Sequence, residues 1–307
     1  MPVKIPDDLP AKQILEAEQI FVMPEARAFV QDIRPLRIAI VNLMPQKSIT
    51  ETQLLRLLGN TPLQISVTLL RMASHQSKTT PEAYLARFYE NFVDCEDQYF
   101  DGLIITGAPV ETMDFTAVKY WPELQKLMAW SKSHVYSVMH ICWGAQAGLY
   151  YHYGVGKQAL LEKMFGVFDH VVREPTHHLL RGFDETFKAP HSRHTGVNST
   201  ELLSIPSLSI LAESEKAGVY LVATRDGRQV FVTGHPEYDA GTLHGEYMRD
   251  AKRGLEVKLP EHYYPADDPT KTPRVTWRSH AQLLFANWLS DIYEETPFVL
   301  SDLKPLL

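Results

Sequence analysis

Apolar positions in the first half of the chain follow two alternating rhythms. Short apolar-rich runs, RIAIVNL at 37–43, LQISVTLL at 63–70 and the start of DGLIITGAP at 101–109, which runs into a Gly/Pro turn, read as buried strands. Between them leucines and aromatics recur every three or four residues: Leu54, Leu55 and Leu58, closed by Gly59-Asn60; Tyr84, Leu85, Phe88 and Phe92 after Pro81; Tyr120, Leu124, Leu127 and Trp130 within 118–133. These spacings predict helices. The loop MPQKSIT (44–50) joins the first strand to its helix at 51–58, and a fourth strand follows at 135–141.

In the second half MFGVFDHVV (164–172) and LSILAES (208–214) read as β-rich runs on either side of a polar turn, PHSRHTGVN (190–198). VYLVATRDGRQVFVTGHPE carries Asp226-Gly227 between two β-rich runs, the signature of a hairpin. A helix at 242–254, a Pro-rich acidic loop at 260–273 and a last helix, SHAQLLFANWLSDIYEE, complete the chain. Strands alternating with helices call for a mostly parallel sheet covered on both faces, because a parallel crossover needs a helix-length connection. No fixed-period repeat, low-complexity tract or composition break sets a boundary, so the 307 residues are read as one α/β domain with N-terminal and C-terminal extensions.

Composition narrows the function classes. With 45% hydrophobic and 22% charged residues there is ample apolar material for a core. A formal charge of -7 gives no basic field of the kind nucleic acids require. The start MPVKIPDDLP lacks the basic, apolar character of a secretory signal, and no apolar run approaches the roughly 18 residues that span a bilayer. The expectation is a cytoplasmic protein with neither nucleic acid nor membrane as partner. Two cysteines, Cys95 and Cys142, make no disulfide framework. Cys95 sits among acidic residues in FVDCEDQYF, which disfavour a thiolate and point to a structural role.

Cys142 is different, because HICWGAQAG places it between a strand end and a cluster of small residues that opens a helix. In parallel α/β folds reactive groups gather at the carboxyl ends of strands. Helix amides aimed at such a residue favour negative charge, lower a thiol pKa and offer donors to an oxyanion, the backbone amide of Trp143 first among them. Position alone leaves both a buried filler and a nucleophile open. FVTGHPEYD adds the partners a nucleophile needs: an extended peptide through Pro236 would project His235 and Glu237 to one side, so that Glu237 holds one imidazole nitrogen while the other faces Cys142. The histidines at His177-His178, His191 and His194 offer a metal-binding alternative, but four ligands with cysteines at short spacing are missing, and no metal is expected.

The ordered motifs RIAIVNLMPQK, TGAP, YWPEL, ICW, APHSR, FVTGHPEYD and PRVTWRSHAQLLFANWL resemble, nearly end to end, the homoserine O-acyltransferase family of methionine biosynthesis. That family shares the Cys-His-Glu triad and fold of class I glutamine amidotransferases. Against the amidotransferase pattern GxCxG the chain departs at His140 and keeps Gly144, which speaks against glutamine hydrolysis serving a synthetase partner. The resemblance implies that Cys142 takes the acyl group from an acyl-CoA, that His235 deprotonates the homoserine hydroxyl, and that Glu237 orients His235. It implies no bound cofactor and a homodimer. Lys163 in LLEKMFG, Ser192 in APHSR and Arg249 in EYMRD match substrate-binding positions, Arg249 being placed to grip the amino-acid carboxylate through parallel donors. Read without the resemblance they are a solvated lysine, a turn serine and a helix-surface arginine paired with Glu246 or Asp250. Lys47 is a candidate contact for the acyl donor or an ordinary surface lysine.

Glu111 in TGAPVETMD matches the position that sorts acyl donors in the family, glycine going with succinyl and glutamate with acetyl transfer. A carboxylate there fills space and repels the distal carboxylate of a succinyl group. Acetyl-CoA is therefore the expected donor. Serine lacks one methylene of homoserine, a difference worth only about 1–3 kcal/mol to a pocket. The full-length match favours L-homoserine as acceptor.

Overall fold

Alternate side chains of the central strands serve opposite layers, as the period-2 geometry of a strand requires. Ile38 and Ile40, Ile104, and Met139 and Ile141 point into one core layer, where Leu54, Leu55 and Leu58 of one helix and Leu284, Phe285, Trp288 and Ile292 of another cover them. Ala39 and Val41, Leu103 and Ile105, and Val138 point into the other, under Leu124, Leu127 and Met128. Each fully buried side chain of this size contributes about 1.5–3 kcal/mol of transfer free energy. The two layers together clamp the strands whose ends carry the chemistry.

The computed structural model describes residues 3–6, 8–17, 22–24, 34–75, 77 and 79–306; within the N-terminal extension, 18–21 and 25–33 lie outside the described residues. The strands are β1 (Val3–Ile5), β2 (Val22–Pro24), β3 (Leu36–Val41), β4 (Ile65–Arg71), β5 (Tyr89–Asn91), β6 (Phe100–Ile105), β7 (Val135–Ile141), β8 (Lys157–Val172), β9 (Thr186–Val197), β10 (Leu208–Ser214), β11 (Gly218–Thr224) and β12 (Gln229–Val232). They form a single sheet in the order β2-β1-β4-β3-β6-β7-β12-β11-β10-β8-β9, with β5 paired to β4. From β2 to β12 every pairing is parallel. From β12 outward β11, β10, β8 and β9 pair antiparallel. The parallel, helix-covered body expected from the alternating rhythms is present, and an antiparallel wing extends it.

Three local expectations are corrected. The helix placed at 51–58 begins at Lys47 and runs to Leu58, so the connecting loop is short. The helix after Pro81 stops at Phe88, because Tyr89 turns to extended backbone and pairs with Leu69 of β4. The polar turn at 190–198 is instead most of β9, and its pairing with β8 runs through His191, Ser192 and Arg193. Along that strand His191, Arg193 and Thr195 are buried. Polar side chains fill the inward positions there because they bond one another and neighbouring backbone, so the apolar alternation that marks a strand is missing. The hairpin at Asp226-Gly227 is present, with Gly227 at φ 69°.

Candidate active site

Strand β7 ends at Ile141 and the helix Trp143–Tyr153 starts two residues later. The reversal falls on Cys142, which adopts φ 52° and ψ -114° as the helix N-cap. A non-glycine residue at positive φ is strained by about 1–3 kcal/mol and persists only where the surroundings fix it. Here the Cys142 N–H donates to the Val232 carbonyl at 2.7 Å and its own carbonyl accepts from Ala145 and Gln146. Cys142 is 6% exposed, so its sulfur is packed without being sealed, and it lines a cleft of about 340 Å³. As the first helical residue, Trp143 has an N–H with no acceptor inside the helix, which makes it an available donor beside the sulfur.

His235 arrives just after β12, whose parallel pairing sets Val232 beside Ile141. The chain then bends rather than extending through Pro236: Tyr238 N–H donates to the His235 carbonyl at 3.2 Å, closing a turn with proline at its second position. The turn achieves what an extended peptide was expected to do. Glu237 Oε1 lies 2.6 Å from His235 Nδ1, and Cys142 lies close enough to the same imidazole to act on its charge. Burial alone would push the His235 imidazolium down. The charges of Cys142 and Glu237 and their hydrogen bonds outweigh it, and hold the imidazolium well above its ordinary value. The Tyr238 ring stacks on His235 with centroids 4.0 Å apart, fixing the ring plane. Gly107 is wedged beside both groups: a Cβ there would stand 3.3 Å from Cys142 Cβ and 3.5 Å from His235 Cε1.

Lys163, Ser192, Arg249 and Glu111 all line the cleft with Cys142 and His235. Ser192, on strand β9 rather than in a turn, donates to Glu246 Oε2 at 2.5 Å, and Tyr238 donates to Glu246 Oε1 at 2.8 Å. Lys163 Nζ is 3.6 Å from Glu246 and 3.7 Å from Asp250, and sits 4.0 Å above the Phe165 ring. Arg249 Nε and Nη2 grip Asp250 at 2.7 and 3.1 Å, so its structural partner is its neighbour, not Glu246. The Glu111 carboxylate accepts the His194 N–H at 2.9 Å. Sequence reading did not single out Tyr238, and it gave Glu246 only a structural part. The signal was there: Tyr238 follows HPE directly, and Glu246 stands one helical turn before Asp250 on the face that lines the cleft.

Lys47 does not line this cleft. It is buried, donates to the Asn42 carbonyl at 2.5 Å, and its ammonium is pushed down to about 8 by that burial. Its neighbour Glu51 accepts hydrogen bonds from Tyr84 and Tyr89. Lys47 thus anchors the loop after β3 from within, and the surface or donor-binding roles do not fit its position. Cys95 is buried, donates to Glu90 at 3.0 Å, and its thiol is pushed up to about 12 by burial. His140 is fully buried against Phe231, with centroids 4.8 Å apart, and burial keeps its ring neutral. His170 and His191 share a 3.0 Å contact beneath the base, and Arg193 donates to His191 and to the Thr195 carbonyl. Among the described residues no three His, Cys, Asp or Glu side chains converge as metal ligands would. A larger groove of about 950 Å³, lined by Ile14, Ile49, Asp239 and Arg278, has neither cysteine nor histidine in its lining. No helix among the described residues is long and apolar enough to cross a membrane.

A cysteine on a strained elbow, an imidazole facing it and a carboxylate behind the imidazole form the arrangement in which cysteine enzymes of the group-transfer class set nucleophile, base and orienter. The architecture matches a glutamine amidotransferase from Thermotoga maritima with a TM-score of 0.54 over 86% of this chain and 100% of that one; at 11% identity the likeness is one of fold. The chain belongs to the homoserine O-succinyltransferase family, whose profile matches residues 2–298. Within it, a homoserine O-acetyltransferase from Acetivibrio thermocellus is 60% identical over 305 residues, 99% of this chain and 100% of that protein. Another, from Brevibacillus brevis, is 58% identical with the same coverage.

Proposed function

We propose that the protein moves an acetyl group from acetyl-CoA to the hydroxyl of L-homoserine by way of a thioester on Cys142, a step of methionine biosynthesis. It is an acyltransferase of the homoserine family, as its full-length relatives are. The observation that carries the covalent route is the position of His235 between Cys142 and Glu237 at the floor of a cleft of about 340 Å³.

Transfer of the Cys142 thiol proton to His235 makes the attacking thiolate, and the negative charges around His235 favour the imidazolium that results. Cys142 Sγ attacks the thioester carbonyl, the carbon–sulfur bond to CoA breaks, and CoA leaves as a thiol with the proton from His235. The acylated sulfur carries no charge, so the imidazolium loses one of its two supports and the ring stays neutral, ready to act as a base. The homoserine hydroxyl then gives its proton to His235 while its oxygen attacks the acyl carbon. Breaking the bond to Cys142 restores the ion pair. Exchange of one thioester for another is nearly isoenergetic, and the final oxygen ester makes the second step downhill.

An amino acid is a zwitterion, and one wall of the cleft offers both signs: Lys163 and Arg249 against Glu246 and Asp250. Asp250 occupies one edge of the Arg249 guanidinium, which leaves another edge for a substrate carboxylate, while Glu246 and Ser192 suit the ammonium and hydroxyl end. Glu111 at the mouth supports acetyl over succinyl as the transferred group. The test is a product assay with acetyl-CoA or succinyl-CoA as donor and homoserine or serine as acceptor. O-acetylhomoserine as the main product supports the reading, and equal or greater turnover with succinyl-CoA or serine would replace its donor or acceptor.

A further inference from the structure

Lys157 stands at the start of β8, outside the cleft that Cys142 and Glu111 line. Its ammonium donates to the Glu111 carbonyl at 2.5 Å and to the Met113 carbonyl, and lies 4.6 Å from the centre of the Phe115 ring. Two hydrogen bonds and one cation–π contact thus gather on the stretch 111–115. Phe115 in turn stacks on Tyr150 at 4.6 Å and on Trp121 at 5.2 Å, and packs against Trp143 at 5.9 Å. The loop after β6 is therefore tied to the residue that follows the nucleophile by way of one lysine and one phenylalanine. On its other side Glu111 is held by the His194 N–H.

A carboxylate that discriminates between acyl groups has to be held in place. A glutamate on a free loop would swing away from an incoming succinate, and the repulsion would vanish. The His194 bond fixes the carboxylate end of Glu111, and the Lys157 bonds fix its backbone end. The alkyl stem of Lys157 is partly buried, its ammonium is engaged by two carbonyls, and Asp114 and Glu111 lie close enough to act on its charge. From these contacts we propose that Lys157 is a positioning residue for acyl-donor selectivity, acting through Glu111 and taking no part in the chemistry at Cys142. The proposal rests on the reading of Glu111 as the residue that favours acetyl-CoA.

The experiment compares kcat/KM for acetyl-CoA and succinyl-CoA in the wild-type protein, Lys157→Met, Lys157→Arg, Glu111→Gly and the double variant Lys157→Met with Glu111→Gly. Methionine keeps the stem and removes the ammonium. The expected result is a fall of about tenfold in the acetyl-to-succinyl ratio for Lys157→Met, the scale of one charge-assisted hydrogen bond. Lys157→Arg should bring the ratio back to within about twofold of wild type, and alkylation of Cys142 by iodoacetamide should keep its wild-type rate in both. In the Glu111→Gly background the lysine substitution should no longer change the ratio. An unchanged ratio in Lys157→Met, an equal loss with both donors, or the same fall with and without Glu111 would each overturn the proposal. A wild-type protein indifferent to the two donors would instead remove the donor reading beneath it, and the two failures are told apart by the wild-type ratio alone.

Discussion

At Cys142 one residue combines a strained backbone with a sulfur that acts on the charge of the His235 imidazole. Its φ of 52° and ψ of -114° suit glycine far better than any residue with a Cβ. Cys142→Gly is therefore expected to be more stable than Cys142→Ala by about 1–2 kcal/mol in urea unfolding, with neither variant expected to turn over. Equal stabilities would mean that the elbow is unstrained. The charge has a separate consequence. Because Cys142 helps to hold the His235 imidazolium above its ordinary value, removing the sulfur takes away a raising influence, and burial then counts for more. In Cys142→Ala the His235 ring should lose its proton at lower pH than in the wild-type protein, as read by NMR of labelled histidine. A titration at the same or higher pH would show that the sulfur does not support the ring. At the cleft mouth, Glu111→Gly removes a carboxylate that a succinyl group would meet, and should raise succinyl-CoA use relative to acetyl-CoA by about tenfold. A steady-state ratio that does not move would refute the sorting role.

Helix and strand contacts decide how closely the helix after Cys142 can approach the sheet. A Cβ at Gly144 would lie 2.6 Å from the Ile105 carbonyl oxygen and 2.7 Å from that of Thr106, backbone atoms of β6 and the loop that follows it. Gly144→Ala should cost about 1–3 kcal/mol by denaturant titration, because the helix must back away from the strand. Gly245, on the exposed side of the helix Thr242–Lys252, has open space around its Cβ position, so Gly245→Ala should be neutral or stabilising by up to about 1 kcal/mol. Matching effects at the two positions would contradict this account. At the same scale lies the limit of what the sequence made legible. Apolar runs placed β3, β4, β6 and β7 within a residue or two, because burial on both faces leaves a simple signal. Strand β9 was hidden because His191, Arg193 and Thr195 are buried through hydrogen bonds, which no hydropathy pattern records. The helix start at Lys47 was hidden for a related reason: a lysine that anchors its own loop from within reads as solvated.

Across the whole molecule the sheet divides the labour. The parallel body places Cys142 at the end of β7 and His235 just beyond the end of β12, the adjacent strand, so register brings the two together over a sequence gap that motif reading could bridge only by analogy. The antiparallel wing supplies Lys163, Ser192, and, through Lys157 and the His194 amide, the supports of Glu111. The grouping of Cys142, His235 and Glu237 was readable because those residue types at strand ends are chemically specific. The Glu246, Tyr238 and Lys157 contacts depend on how wing and body meet, which only the fold shows. If this assembly works as a carrier, the acyl group must rest on one sulfur between the two substrates. Mass spectrometry of the intact protein mixed with acetyl-CoA alone tests this most directly. The expected result is one added acetyl group located on Cys142, absent from Cys142→Ala and discharged by homoserine; an unmodified Cys142 in a protein that still turns over would contradict it.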